Sequence, residues 1–216
     1  MNKGNLIIFD FDGVIFDSIE IFKDIYNKIH QKYNLPKAKS KKDIADLFSG
    51  NIFEKLKEIG LTQEKIEQLT NEVKISFEKE EGRNNIFDGI SEVIIKINQS
   101  NNSLAIVTSN HYETVKSFLE NHNLDKSFKL ILGSESGFNK AEKINLVIKK
   151  LNSFKKYAYF ISDTAGDIME GKKVDVKTIA VTWGYHDKNK LSKANPDFIC
   201  DNPKDLYKII NPDIQY

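Results

Sequence analysis

The chain is poor in cysteine and arginine, and each scarcity narrows what it can be. Cys200 is the only cysteine among the 216 residues, so no intrachain disulfide can form and a reducing compartment is expected. Cys200 lies in an apolar stretch, which favours a buried, inert thiol over a nucleophile. Arg83 is the single arginine. An anion-binding site in this chain must therefore rely on lysine ammonium groups and backbone amides.

A charge imbalance and long apolar runs are also missing. The formal net charge is +1, which gives no electrostatic reason to expect a nucleic acid or an anionic membrane as a partner. The first apolar run stops at Asp10 and is typical of neither a signal peptide nor a membrane-spanning helix. Apolar residues make up 40% of the chain and charged residues 29%, which suits a packed core with a soluble surface. We therefore expect a cytoplasmic protein with one large domain, or with a core and a smaller insert.

The most informative stretch is the first apolar run and the residues that follow it. Residues 6–9 are predicted to form a short buried strand, which ends in Asp10, Asp12 and Gly13. Side chains alternate along an extended chain, so the two carboxylates leave the strand on the same side. They can simply cap an exposed strand end. Alternatively, they form a site in which a divalent cation, or one protonated acid, offsets their repulsion.

The remaining pattern divides into a helical block and an alternating block. From Asp17 to Asn85 the sequence predicts only helices, with Ser18 and Thr62 as N-caps. From residue 87 onward, apolar strands alternate with amphipathic helices, which predicts an α/β fold with a parallel sheet covered on both faces. The later strands are predicted near residues 104–108, 130–132, 157–162, 178–182 and 198–200.

Polar residues follow several of these strands. Asp10 and Asp12 follow the first strand, residues 108–110 the second, and Asp163 with Asp167 the fourth. In parallel sheets ligands bind beyond the carboxyl ends of the strands, so these groups are expected to meet at one edge. Carboxylate, hydroxyl and amide oxygens without a histidine or cysteine cluster favour Mg²⁺ over Zn²⁺. With Lys140 in the same crevice, they describe the surroundings of a phosphoryl group.

Four ordered motifs resemble those of the haloacid dehalogenase-like superfamily, in particular its phosphoglycolate phosphatase-like branch. The resemblance covers essentially the whole core and includes the position and size of the helical insert. It implies an α/β fold with a Rossmann-like parallel-sheet core flanked by helices and an inserted all-helical cap. The matching stretches are Asp10-Phe-Asp12-Gly-Val, Val107-Thr108-Ser109-Asn110, Lys140-Ala-Glu-Lys143-Ile and Ile161-Ser162-Asp163-Thr-Ala-Gly-Asp167.

The resemblance implies phosphate-ester hydrolysis through a covalent intermediate. Asp10 would attack phosphorus and form an aspartyl-phosphate, and Asp12 would act as general acid and then as general base. Thr108 and Lys140 would bind the phosphoryl oxygens. The resemblance also implies Mg²⁺, with these ligands: Asp10, the backbone carbonyl of Asp12, Asp163, and Asp167 directly or through water.

Substrate contacts are predicted less sharply than the chemistry. The resemblance places a substrate-contacting loop of the cap at Ser49-Gly50-Asn51, although an ordinary turn between helices explains the same residues. Ser109 and Asn110, which continue the second motif, are also assigned to substrate binding. His111 follows them and is expected to be an exposed polar residue.

Two residues of the motifs leave a question open. Lys143 is an alternative to Lys140 for the lysine of the third motif, but we expect it to be a solvated helix residue. Ser162 stands where the family usually has glycine before its metal-binding aspartate. A serine is small enough to be tolerated there.

The sequence thus predicts a Mg²⁺-dependent phosphatase acting on a small phosphorylated metabolite, as a monomer or weak homodimer. Its core is expected over residues 1–16 and 86–216, and its cap over residues 17–85. Sugar-phosphate phosphomutases share these motifs, so a phosphomutase remains an alternative. A non-catalytic phosphate-binding module is disfavoured because Asp10 and Asp12 are both present, and a receiver-like domain is disfavoured by the helical insert.

Overall fold

The computed structural model describes residues 4–47, 52–79 and 85–212. The strands are β1 (Leu6–Phe9), β2 (Ser103–Val107), β3 (Phe128–Leu132), β4 (Ala158–Ser162), β5 (Lys177–Val181) and β6 (Phe198–Cys200). The α-helices are α1 (Ile19–Ile29), α2 (Lys41–Leu47), α3 (Ile52–Glu58), α4 (Gln63–Lys79), α5 (Ile90–Gln99), α6 (Tyr112–Asn121), α7 (Lys140–Lys150), α8 (Ala165–Lys173), α9 (Lys188–Lys193) and α10 (Leu206–Ile210).

β1 lies inside a parallel sheet, as the sequence predicts. The strand order is β3-β2-β1-β4-β5-β6, and each neighbouring pair runs parallel. Alternation along β1 sends Ile7 and Phe9 into a core with α5, α6 and α10, and sends Leu6 and Ile8 into a second core with α7. Both faces of β1 are therefore covered, and its polar continuation emerges only at the carboxyl edge of the sheet. The prediction of an α/β, Rossmann-like fold is confirmed.

The helical block has a hydrophobic cluster of its own. In residues 17–47 and 52–79 the described backbone forms helices and turns and no strand. Buried residues from α1, α2 and α4, among them Tyr26, Ile44 and Ile66, pack against one another. The two connections to the sheet run side by side, because the Asp17 N–H donates to the Asn85 carbonyl at 2.9 Å. The chain thus enters and leaves the block at one point, and Ile21 and Ile25 of α1 also pack into the core that contains Ile7 and Phe9.

Some local predictions are wrong. Ser18 occupies the N-cap position of α1 as predicted, but its hydroxyl makes no cap bond and instead bonds the Tyr185 hydroxyl at 3.0 Å. Thr62 does cap α4, accepting from the Lys65 N–H at 3.4 Å. Helices α8 and α9 were not predicted. α8 contains two glycines and only two fully buried residues, so it lacks the apolar period that marks a helix.

The helices in the described ranges are too short or too polar to cross a membrane.

The thiol of Cys200 is buried, as expected, and burial raises its pKa to about 11. A thiol with this pKa stays protonated near neutral pH. Cys200 is therefore a structural residue of β6.

Candidate active site

Asp10 directly follows β1 and is almost completely buried. Its N–H donates to the Ile161 carbonyl of β4 at 2.9 Å, so the parallel ladder continues as far as this residue. Its Oδ1 accepts from the Phe11 N–H at 2.8 Å. At Gly13 the chain adopts a φ of 76°, which glycine allows without strain, and turns away from the sheet. Burial raises the pKa of the Asp10 carboxyl well above its usual value, so its ionised form needs a nearby cation.

Lys140 provides a positive charge at this point. Its Nζ donates to Asp10 Oδ2 at 2.5 Å and to Asp167 Oδ2 at 2.7 Å. A capping box formed by Asn139 and Glu142 fixes the start of α7 and places Lys140 at the first helical position. Although burial disfavours the charged ammonium, attraction to Asp10 and Asp167 raises the pKa of Lys140 above its usual value. Lys140 is therefore a permanent cation between two carboxylates.

Asp167 is held by three side-chain donors. Besides Lys140, its Oδ2 accepts from the Thr164 hydroxyl at 2.8 Å and lies 3.1 Å from the Ser162 hydroxyl. Burial opposes ionisation of Asp167, but Lys140 outweighs it and lowers the pKa of this carboxyl. The Ser162 hydroxyl also lies 3.2 Å from Asp10 Oδ2. A serine in place of glycine thus adds a hydroxyl that reaches both carboxylates of the cluster, which the sequence did not indicate.

Asp163 is fully buried, and only one of its two carboxylate oxygens has a hydrogen-bond donor among the described residues. Its Oδ2 accepts from the Tyr185 N–H at 2.7 Å, whereas Oδ1 has no hydrogen-bond partner among the described residues. Burial raises the pKa of Asp163 to about 7. Gly13 and Gly184 pack directly against this carboxylate. A buried carboxylate oxygen without a partner is costly unless a ligand meets it.

The loop after β2 connects Thr108 to Asp12. The Thr108 hydroxyl accepts from the Asn110 N–H at 3.0 Å, and Asn110 Nδ2 donates to Asp12 Oδ2 at 3.2 Å. Burial raises the pKa of the Asp12 carboxyl, which favours its protonated form. Lys143 lies behind this loop with its Nζ 2.7 Å from the Thr108 carbonyl, and it is only 3% exposed. The prediction of a solvated Lys143 is wrong.

The segment after β5 connects this site to the helical block. Tyr185 bonds Asp163 through its N–H and Ser18 through its hydroxyl. The His186 ring is buried: Nδ1 accepts from the Ala165 N–H at 3.0 Å, so the ring proton lies on Nε2, which faces the Ala45 carbonyl at 3.2 Å. One side chain thereby joins the start of α8 to α2. Sequence reasoning missed both roles, since nothing local marks contacts so distant along the chain.

We expect His186→Ala to lower the free energy of unfolding by about 2–3 kcal/mol, because it removes a buried ring and leaves the Ala165 N–H and the Ala45 carbonyl without this partner. Denaturant unfolding measures this change. The role assigned to the ring predicts that His186→Ala weakens the attachment of α2, so hydrogen exchange in α2 should accelerate more than in β1. An unchanged midpoint with unchanged exchange in α2 would contradict it.

The structure brings most of the predicted site residues to one edge of the sheet. Ser109 is exposed beside them. His111 is half-buried and caps α6 with its ring, instead of being simply exposed. The predicted cap loop Ser49-Gly50-Asn51 lies outside the described residues. The residues that the described structure gathers are Asp10, Asp12, Thr108, Asn110, Lys140, Asp163 and Asp167.

The residues present fit a hard divalent cation. Asp10, Asp163 and Asp167 are oxygen donors, and the unpartnered Oδ1 of Asp163 is an open ligand position. Within the described ranges no three acidic, histidine or cysteine side chains are already grouped as metal ligands. Lys140 occupies the space between Asp10 and Asp167 and holds these two carboxylates together. The donor set therefore fits Mg²⁺, with Asp163 as its most available member.

Comparison with known proteins agrees with this arrangement. The pyrophosphatase PpaX of Listeria innocua is 24% identical over 216 residues, which cover 96% of this chain and 97% of the relative. A phosphoglycolate phosphatase of Synechococcus elongatus is 22% identical, with 94% and 96% covered. Both alignments extend over nearly the full length of each chain. The similarity thus includes the helical block as well as the sheet.

A solved structure and a family model lead to the same conclusion. A haloacid dehalogenase-like family hydrolase from Streptococcus pneumoniae superposes with a TM-score of 0.83 at 22% identity, covering 98% of this chain and 100% of the other, which shows a shared fold. The family model described as haloacid dehalogenase-like hydrolase matches residues 7–181. That range includes all four motifs of the site. The chain belongs to the haloacid dehalogenase-like hydrolase family and is an enzyme of that family.

Proposed function

We propose that this enzyme is a Mg²⁺-dependent phosphatase that hydrolyses a small phosphorylated metabolite through an aspartyl-phosphate on Asp10. The observation that carries the proposal is the buried cluster of Asp10, Lys140 and Asp167 beside the unpartnered Oδ1 of Asp163. A nucleophile paired with a cation, next to an open metal ligand, is suited to phosphoryl transfer.

In the first half of the reaction, a carboxylate oxygen of Asp10 forms a bond to phosphorus while the bond to the ester oxygen breaks. Asp12, whose carboxyl is shifted towards its protonated form, gives its proton to the leaving oxygen. The Asn110 amide holds Asp12 in place for this transfer. Lys140 and the Thr108 hydroxyl stabilise the negative charge on the phosphoryl oxygens.

In the second half, Asp12 takes a proton from a water molecule whose oxygen attacks phosphorus. The bond between phosphorus and Asp10 breaks, which releases inorganic phosphate and restores the Asp10 carboxylate and the protonated Asp12. Asp10, the Asp12 backbone carbonyl, Asp163 and Asp167 would hold Mg²⁺, the last directly or through water. When bound, Mg²⁺ neutralises the carboxylates and polarises the phosphoryl group.

The helical block is proposed to be a cap that selects the leaving group. Its boundaries would be residues 17–85, with the core formed by residues 1–16 and 86–216. The hydrophobic cluster among the helices of the block and the pairing of the two chain crossings at Asp17 and Asn85 support this division. The names of the relatives suggest phosphoglycolate and pyrophosphate as substrates to try first.

The test is release of inorganic phosphate from a panel that contains phosphoglycolate, pyrophosphate, sugar phosphates and nucleotides. We expect release from one class of compound with Mg²⁺, loss of release with excess EDTA, and recovery when Mg²⁺ is restored. Asp10→Asn protein purified in parallel excludes a contaminating phosphatase. An isomerised sugar phosphate without net release would instead show a phosphomutase, and no product from any compound would contradict the proposal.

A further inference from the structure

Lys143 is a buried lysine that the reaction described above does not use. It lies on α7 one turn after Lys140, and its residue is 3% exposed. Its Nζ donates to the Thr108 carbonyl at 2.7 Å. None of the ion pairs formed by the described residues includes Lys143, whereas Lys140 has two carboxylate partners. Of these two lysines, Lys140 is therefore paired with carboxylates, whereas Lys143 forms no ion pair within the described ranges.

Keeping an ammonium at this position is costly. Burial, and then repulsion by Lys140, lower the pKa of Lys143 and outweigh the attraction of the more distant Glu135 and Asp10 carboxylates. The other buried residues of α7 are Ile144, Val147 and Ile148, so an aliphatic side chain would suit this face of the helix at a lower cost. A buried charge without a carboxylate partner is stabilised when an anion binds nearby. The site described above is the nearest place for such an anion.

The contact with Thr108 places this charge directly behind the phosphate-binding loop. The Thr108 carbonyl faces Lys143, while its hydroxyl accepts from the Asn110 N–H. Lys143 therefore fixes the peptide from which the loop leaves β2. The loop continues to Asn110, whose side chain donates to Asp12. The contact between Lys143 and Thr108 therefore also affects the position of Asp12, the proposed general acid.

The charge of Lys143 matters because the site is otherwise rich in carboxylates. Asp10 and Asp167 already offset Lys140. We propose that Lys143 is a positioning residue that anchors the Thr108 loop and supplies a positive charge, not engaged in an ion pair with any described residue, that favours phosphate binding. This proposal rests on the proposed function, because it concerns the affinity of the same site for phosphoryl groups.

Lys143→Met tests the proposal, since methionine keeps the length and apolar stem and removes the charge. Lys143→Gln removes the charge but keeps a donor, and Lys150→Met removes an exposed charge from the same helix as the control. The probe is inorganic phosphate in the presence of Mg²⁺, measured by calorimetry. Thermal unfolding is followed for each protein. These two measurements separate binding from structural integrity.

We expect both Lys143 variants to bind phosphate at least about tenfold more weakly than the wild type, with kcat/KM lowered in parallel. Their thermal midpoints should equal or exceed that of the wild type, because a buried, unpaired charge has been removed. Lys150→Met should change neither quantity. A residue with a purely structural role would lower the midpoint and would not weaken binding selectively.

Phosphate affinity equal to the wild type in a folded Lys143→Met or Lys143→Gln protein would overturn the proposal. So would a loss of affinity that only follows a loss of stability. If the wild type itself neither binds phosphate nor hydrolyses any ester in the panel, the proposed function fails instead. If the wild type does both and the variants match it, only the inference about Lys143 fails.

Discussion

Asp10→Asn should lower phosphate release by about 10⁴-fold or more, because a carboxamide cannot serve as the nucleophile. The change is almost isosteric, and the Asn carbonyl can still accept the Phe11 N–H as Asp10 Oδ1 does. Its NH₂ group would then face Lys140, which keeps its bond to Asp167. We therefore expect the variant to fold, with Lys140 held on one side only.

Asp175→Asn provides a matched control for this change. Asp175 is exposed and has a φ of 60°, a conformation that asparagine also tolerates. Its release rate and thermal midpoint should equal those of the wild type. Incubation with labelled substrate and acid quench should leave label on the wild type and on Asp175→Asn, but not on Asp10→Asn. A folded Asp10→Asn enzyme with near wild-type turnover would contradict the mechanism.

Much of the fold could be predicted because its signals are local. Residues 6–9 form a continuous apolar run that ends in charge, and such a run indicates a buried strand of a parallel sheet. The alternation of strands and helices after residue 87 then determined the class of fold. By contrast, α8 was not found because its buried contacts are few and two of its nine residues are glycines. Tertiary packing and the Thr164 cap, not periodicity, define that helix.

The site likewise contains residues whose positions the sequence predicts and contacts that it does not predict. The positions of Asp10, Asp12 and Asp163 follow from their places after two strands that turn out to be neighbours. The burial of Lys143 could not be predicted, since a lysine at that spacing on a helix is ordinarily solvated. Ser18 was expected to cap α1, but its partner Tyr185 lies 167 positions away. Contacts of that kind depend on the final packing of the helical block against the sheet.

Gly184→Ala should disable the site from a position that touches no substrate. A Cβ at Gly184 would lie 2.3 Å from Asp163 Oδ2 and 2.3 Å from the Gly13 carbonyl oxygen. Both distances are far below contact, and the second atom is backbone that cannot rotate away. The segment must therefore move, and it holds Asp163 through the Tyr185 N–H. We expect a loss of about 3 kcal/mol in the free energy of unfolding and about 10²-fold lower turnover.

Gly166→Ala is the matched control for stability. Nothing lies within 4 Å of a Cβ at Gly166, and the residue belongs to α8. Alanine there should stabilise the protein by up to about 1 kcal/mol, since it favours the helix. Addition of Mg²⁺ should raise the thermal midpoint of the wild type and of Gly166→Ala. It should leave that of Gly184→Ala unchanged, because a displaced Asp163 no longer offers its open oxygen. If Mg²⁺ raises the thermal midpoint of all three proteins equally, then Asp163, held in place by the packing of Gly184, is not a metal ligand.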